Sequence, residues 1–298
     1  MSAKNVKIAG APISWGVCEV PGWGHQMNPD RVLTEMAELG LGATEFGPLG
    51  FLPIEPADRA AALAKHGMEA VGGFFPIILY KANFDPLPAV LTELESYAAS
   101  GAKTLVLSAD TGLEGYDTKR PELDAAGWAT VFTNLERIKD AAAAQGVTAV
   151  LHPHVGTMVE TEADVMQVLN GSTIKFCLDT GHMIIGGTDP VAFAKNHAGR
   201  VAHSHLKDVN LAVANRVQAG EITYYQGILE GMYVPLGTGD VDVRSIVRSL
   251  IQADYDGWFV LEQDNVINVE PGVGQGPFAD AKASVEFIRG VAAELDNE

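Results

Sequence analysis

Short apolar runs alternate with longer amphipathic stretches from one end of the chain to the other. The runs VKIAGAPIS (6–14), ATEFG (43–47), EAVGGFF (69–75), KTLVLSA (103–109), TAVLHPH (148–154), IKFCLD (174–179), RVAHSHLKD (200–208) and WFVLEQD (258–264) read as buried strands. Between them PDRVLTEMAELG (29–40), ADRAAALAKHG (57–67), PAVLTELESYAASG (88–101) and AGWATVFTNLERIKDAAAAQG (126–146) carry helical spacing. Each of these four ends at glycine, the residue favoured just past a helix C-terminus. The same pattern predicts further helices over 161–170, 189–198, 241–253 and 277–294.

Eight strand–helix units in 298 residues match an α/β fold of the (β/α)8 barrel type, which needs about 250 residues plus insertions. We expect one domain spanning 1–298. A doubly wound open sheet is the competing topology, but no strand is followed by a GxGxxG turn. One connection stands out. Residues 209–240, after the seventh strand, far exceed the usual length of about two to six residues. In a barrel this loop falls on the face that carries the chemistry, and its Tyr224–Tyr225 pair suggests a lid.

Composition narrows the partners. The chain holds 38 Asp and Glu against 20 Lys and Arg, a formal net charge of −18. Such a field repels phosphate backbones and anionic membranes, and no basic stripe offsets it. Nucleic acid and membrane are therefore not expected partners, and a nuclease-like barrel is disfavoured. Two cysteines, Cys18 and Cys177, are too few for a disulfide framework. With no apolar signal core at the start and no run of membrane-spanning length, the expected location is cytoplasmic. The sequence leaves open whether copies associate as a homo-oligomer.

Barrel active sites form where strands end, and several ends here are ionisable. The fifth strand offers His152 and His154, two residues apart and so on one face. The sixth offers Asp179 with His182 in the following turn. The seventh offers His203, His205, Lys207 and Asp208, the eighth Glu262 and Asp264, and the second Glu45. Carboxylates and imidazoles at one mouth suit a divalent transition metal. Ordinary explanations compete for several of them. His203 reads as a satisfied buried histidine, Lys207 and Asp208 as a solvated rim pair, and Glu45 as a carboxylate ordering a loop. His25 reads as a loop residue, and Asp264 as a rim or supporting group. Asp179, His205 and Glu262 differ, because each follows an apolar run on a separate strand, where an unpaired charge is costly. GTGD (237–240) reads as a turn before a helix rather than a phosphate cradle. Of the aromatics, Trp15 is the expected wall for a sugar-like ligand.

With these residues placed, the chain resembles the xylose-isomerase-like barrel superfamily of sugar isomerases, epimerases and dehydratases over essentially its whole length. APISWGVCEVPGWGHQ, ATEFGPLGFLP, LDTGH and HSHLKDVN resemble the inosose dehydratases within it. The resemblance implies a divalent metal, Mn2+ or Co2+ first with Zn2+ and Mg2+ as alternatives, and no redox cofactor. Carried onto matching positions, the ligands are Asp179, His205 and Glu262, with His152 where many relatives have glutamate. His154 then stands beside the substrate, and His182, Lys207, Trp15 and Glu45 line its site. A two-base epimerase commonly uses paired carboxylates, and only Glu262 of such a pair is evident. The departure leans towards elimination, with Glu262 as base and His152 or His154 as acid. The implied reaction is dehydration of a cyclic ketopolyol, 2-keto-myo-inositol above all, to a dione in inositol catabolism. A ketose 3-epimerase, an aldose–ketose isomerase, and an accessory subunit of a sugar-cleaving lyase are the alternatives.

Overall fold

The structure is a computed structural model that describes residues 6–296. Its strands are β1 (Ile8–Gly10), β2 (Ala43–Thr44), β3 (Glu69–Ala70), β4 (Gly72–Ile77), β5 (Thr104–Ala109), β6 (Thr148–Leu151), β7 (Lys175–Asp179), β8 (Val201–Leu206), β9 (Asp208–Val209), β10 (Tyr233–Val234) and β11 (Phe259–Leu261). Nine of them form one parallel sheet in the order β3-β2-β1-β11-β8-β7-β6-β5-β4. Its two edges, β3 and β4, are one stretch of chain broken at Val71. Val71 donates to the carbonyl of Thr44, and its own carbonyl accepts from Lys103 and Thr104. These bonds bring the edges together, and the architecture is the expected α/β barrel.

The helices are α1 (Pro29–Glu38), α2 (Pro56–Lys65), α3 (Leu87–Ser100), α4 (Ala125–Ala144), α5 (Glu162–Gly171), α6 (Thr180–Ile185), α7 (Pro190–His197), α8 (Leu211–Gln218), α9 (Tyr224–Leu229), α10 (Val243–Gln252) and α11 (Pro277–Leu295). The eight expected helices are all present. The four expected stop glycines take the left-handed backbone, with φ of 72° at Gly40, 67° at Gly67, 80° at Gly101 and 69° at Gly146. Starts are fixed by side-chain caps: Asn28 accepts from the Asp30 amide, and Thr161 and Asp164 form a reciprocal capping box. Among the described residues no helix is long and apolar enough to cross a membrane.

Two readings of the pattern change. The ladders are shorter than the apolar runs, so most of the polar strand-end residues lie just past them. Residues 209–240 are also no bare loop. β9 and β10 pair antiparallel, Tyr233 opposite Val209, and α8 and α9 fold between them. The signals were short but present. Asn210 caps α8, and Thr223 with Gln226 forms a capping box for α9.

Candidate metal centre and active site

Ladder register builds the site. Asp179, the last residue of β7, lies beside His205 of β8, and Leu206 lies beside Leu261 of β11. One step further, Lys207 and Glu262 emerge together. Asp179 divides its carboxylate between two tasks. Oδ1 caps α6, accepting from the amides of Gly181 at 2.9 Å and His182 at 2.8 Å. Oδ2 faces inward, 3.1 Å from His152 Nε2, 3.1 Å from Lys207 Nζ and 3.6 Å from His205 Nδ1. The glycine of LDTGH is required by close approach. A Cβ on Gly181 would stand 2.7 Å from Lys207 Cβ and 3.0 Å from the Tyr233 ring.

His205 is held from behind. Glu45 Oε1 accepts from Nε2 of His205 at 2.9 Å and of His203 at 2.8 Å. With Nε2 committed to Glu45, Nδ1 is turned towards the carboxylates, the arrangement by which an outer carboxylate fixes a metal-binding imidazole. Burial opposes charge on the ring, but Cys177, Glu262 and Glu45 hold its pKa well above the ordinary histidine value. His205 Nδ1 lies 2.5 Å from Glu262 Oε2. Both atoms are buried, and neither makes a hydrogen bond of good angular geometry, although the Lys207 ammonium lies 2.6 Å from Oε2. A ring nitrogen and a carboxylate oxygen this close need a cation between them, a proton when no metal is bound and a divalent ion when one is.

Asp179, His205 and Glu262 bring one ligand atom each within 4.8 Å of one another. This mixed nitrogen and oxygen set fits a divalent transition metal. His152 joins Asp179 and His182 in a second such group, and Cys177 and His205 in a third. It thus adjoins Asp179 and His205 and shares no such group with Glu262.

Lys207 is the fixed positive charge. It is 1% exposed and reaches Glu262 Oε2 at 2.6 Å and Asp264 Oδ1 at 3.3 Å, besides Asp179. Burial works against its charge, but Asp179, Asp264 and Glu262 together hold its pKa well above the ordinary lysine value. Burial likewise opposes ionisation of Glu262, yet His205 and Lys207 bring it down to about 2. Asp264 goes the other way, pushed up to about 6 by burial against the pull of Lys207.

Across the barrel from Glu262, three strand positions away, the wall is made of histidines. The rings of His154 and His182 stack with centroids 3.7 Å apart, and Tyr116 stacks on His154 at 5.4 Å. Burial, followed by the charge of His152, lowers the His154 pKa to about 3. Its Nδ1–H donates to the Val155 carbonyl at 2.7 Å, so Nε2 is an acceptor. A neutral imidazole in this tautomer presents Nε2 as an acceptor towards its neighbours.

These groups line a cavity of about 280 Å³ with Trp23, Phe74, Tyr116 and Tyr224 among its apolar walls, the size of a site for one small molecule. Trp15 is not among them. It is fully buried, and its Nε1–H donates to Glu35 Oε2 of α1 at 2.8 Å. The chain turns at Pro12–Trp15 into a short 3-10 helix, which aims that ring into the core. Trp23 takes the wall position instead. Glu45 touches the cavity, but its carboxylate is engaged with the two histidines.

Lys207 and Asp208 are no solvated rim. Asp208 is completely buried and accepts from the amides of Val209, Gly237, Gly239 and Val241 at 2.8–3.0 Å. It fills the GTGD turn with an internal carboxylate. His25 is the loop residue expected, paired with Glu270. Sequence reasoning missed Phe74 and Tyr116, because an aromatic in a loop or on a strand carries no sign of facing a cavity. Tyr224, singled out with Tyr225 for a lid, stands at the start of α9 and lines the cavity.

The chain matches the model of the xylose isomerase-like TIM barrel family over residues 33–291. Among curated proteins it is 32% identical over 272 residues to the rhizopine catabolism protein MocC of Rhizobium meliloti, covering 88% of this chain and 83% of that one. It is 31% identical over 296 residues to the inosose dehydratase of Geobacillus kaustophilus, covering 95% and 93%. Among solved structures, D-allulose 3-epimerase of Methylomonas sp. in complex with D-allulose superposes with a TM-score of 0.69 at 17% identity, over 96% of this chain and 97% of that one. A fold of this kind with such sequence relatives has one assignment: the chain belongs to the xylose isomerase-like TIM barrel family.

Proposed function

We propose that this protein is a divalent-metal-dependent dehydratase of a cyclic ketopolyol, 2-keto-myo-inositol first among them. The observation that carries this reading is the asymmetry of the cavity. Glu262 and Lys207 occupy one side, and neutral histidines rather than a second free carboxylate occupy the other. Proton exchange on two faces of one carbon needs two bases, whereas elimination of water needs one base and a site for the developing negative charge. The name of the Geobacillus relative supports the same direction.

Asp179, His205 and Glu262 would hold the ion, with His152 as the fourth residue. When bound, a divalent ion supplies Lewis acidity to a ketone oxygen. The remaining steps belong to the chain. Glu262 takes the proton from the carbon next to the ketone. Lys207 places its ammonium 2.6 Å from that carboxylate, so positive charge is already present where negative charge develops. His154 accepts a hydrogen bond from a substrate hydroxyl through Nε2, and His182, stacked on it, braces the same face. Glu262, once protonated, and Lys207 are then the proton-bearing groups beside the departing hydroxyl. Water leaves, and the enol relaxes to the dione.

The test is incubation with 2-keto-myo-inositol and Mn2+ or Co2+, following the absorbance of the enolised dione, before and after chelation. Turnover that is lost on chelation and restored by metal is the expected result. Epimerised substrate without dione would establish the epimerase reading, for which the structural likeness to D-allulose 3-epimerase is the competing argument. No turnover of any ketopolyol in a broad panel with metal present would leave an accessory role.

A further inference from the structure

The segment between β9 and β10 delivers one side chain into the cavity. Tyr224, the first residue of α9, is 1% exposed. Its hydroxyl donates to Asp264 Oδ2 at 3.0 Å and lies 2.8 Å from the Tyr233 hydroxyl. Its backbone amide donates to Asp117 Oδ1 at 2.9 Å, a residue of the loop after β5. The Thr223–Gln226 capping box fixes the start of the helix. A Cβ on Gly227 would stand 2.6 Å from Val217, so α9 is pressed directly onto α8. The next residue does something different. Tyr225 turns outward by about 100°, the helical step, to pack edge-on against Trp23 at 5.6 Å and donate to the Gly22 carbonyl at 3.3 Å. One tyrosine docks the segment on the rim, and the other enters the site.

Asp264 explains why a hydroxyl is needed there. Its carboxylate shares one ammonium, Lys207, with Asp179 and Glu262. A single –NH3+ has three donors, one for each of the three carboxylates, so Asp264 receives at most one from it. Tyr224 gives Asp264 a second donor and frees it from dependence on Lys207 alone. We propose, building on the function proposed above, that Tyr224 is a positioning residue of the active site. Its hydroxyl holds the Asp264 carboxylate in register with Lys207, and thereby sets where that ammonium points. The excursion after β8 is then part of the catalytic apparatus and not only its cover.

Two measurements on Tyr224→Phe test this. A crystal structure of the variant should retain the ring at 224 and the docking of Tyr225, while the Asp264 carboxylate rotates and its 3.3 Å contact with Lys207 lengthens. This arm needs no substrate, so it decides the proposal even if the protein does not dehydrate ketopolyols. In kinetics with 2-keto-myo-inositol, kcat should fall about tenfold or more, as for loss of a hydrogen bond to a charged group, with KM changed little. The double variant Tyr224→Phe/Asp264→Asn should be no slower than Asp264→Asn alone, since the two act as one unit. Tyr225→Phe, which loses only the rim hydrogen bond, should stay within about twofold on the same scale. An unmoved Asp264 in the variant crystal, or wild-type kcat in Tyr224→Phe where the parent protein turns over, would overturn the proposal.

Discussion

At the amino-terminal end of the barrel, Arg200 donates to the carbonyls of Leu169, Ser172 and Ile174 at 2.8–3.1 Å. Beside it Glu136 accepts from Ser172 Oγ at 2.7 Å, from the Thr173 amide at 2.5 Å and from Lys139. At the opposite end Lys207, Asp179, Asp264 and His205 are buried together with the nearly buried Glu262, and one ammonium, Lys207, is shared among three carboxylates. The amino-terminal charges are partly hydrated and engaged with backbone and hydroxyls, so each contributes little and loses little when changed. The carboxyl-terminal charges are desolvated and competing, a condition that a fold does not need for its own stability. The contrast teaches that in this barrel a cluster of charges withdrawn from water, and not charge itself, marks the chemistry.

The largest effect is expected from the ligands. His205→Ala or Glu262→Ala should lower metal affinity beyond the roughly 10–100-fold that outer-shell losses cost, as read by metal titration. Arg200→Ala at the other end should leave it unchanged. Equal metal affinity in all three would erase the contrast. The two histidines just past β6, His152 and His154, sharpen it. His152→Ala should lose metal, whereas His154→Ala should keep metal and lose turnover through substrate positioning. If His154→Ala alone loses metal, their roles are exchanged.

Glu45→Gln comes next. An amide still accepts at its carbonyl oxygen but carries no charge, so His205 is held less firmly. Metal affinity should fall by about 10–100-fold, a drop that titration separates from any change in unfolding temperature. Shortening the segment 211–231 should lower turnover while the thermal midpoint of the barrel stays nearly unchanged. Unaltered kinetics after such a deletion would leave the segment without a role at the mouth.

The smallest effect belongs to the amino-terminal end. Burial opposes ionisation of Glu136, but its hydrogen bonds from Lys139, Thr173 and Ser172 bring its pKa down to about 2. A depressed carboxylate pKa stabilises the fold above the unfolded value of about 4.3, and that stability is lost as pH falls towards 2. The side chain is about one-third exposed, so screening keeps the contribution below about 1 kcal/mol. Glu136→Gln should flatten the acid limb of stability between those pH values, measured by denaturant unfolding, and leave turnover untouched.

Periodicity was enough for the barrel. Runs such as KTLVLSA and the four helices ending at Gly40, Gly67, Gly101 and Gly146 obey local rules, because burial of a strand and the left-handed stop of a helix are decided within a few residues. Asp179, His205 and Glu262 were legible for a similar reason, since a charge closing an apolar run advertises a partner. Other features belong to the tertiary structure alone. The cross-strand register sets Asp179 beside His205 and brings Lys207 out next to Glu262. The short 3-10 helix after β1 turns Trp15 into the core and leaves Trp23 at the wall. Asp208 sinks into the GTGD turn because four amides converge on it from two segments of the chain. The excursion after β8 reaches across the mouth to place Tyr224 on Asp264. Each of these depends on contacts between residues tens of positions apart, where the sequence carries no local signal and only the folded chain brings the partners within bonding distance.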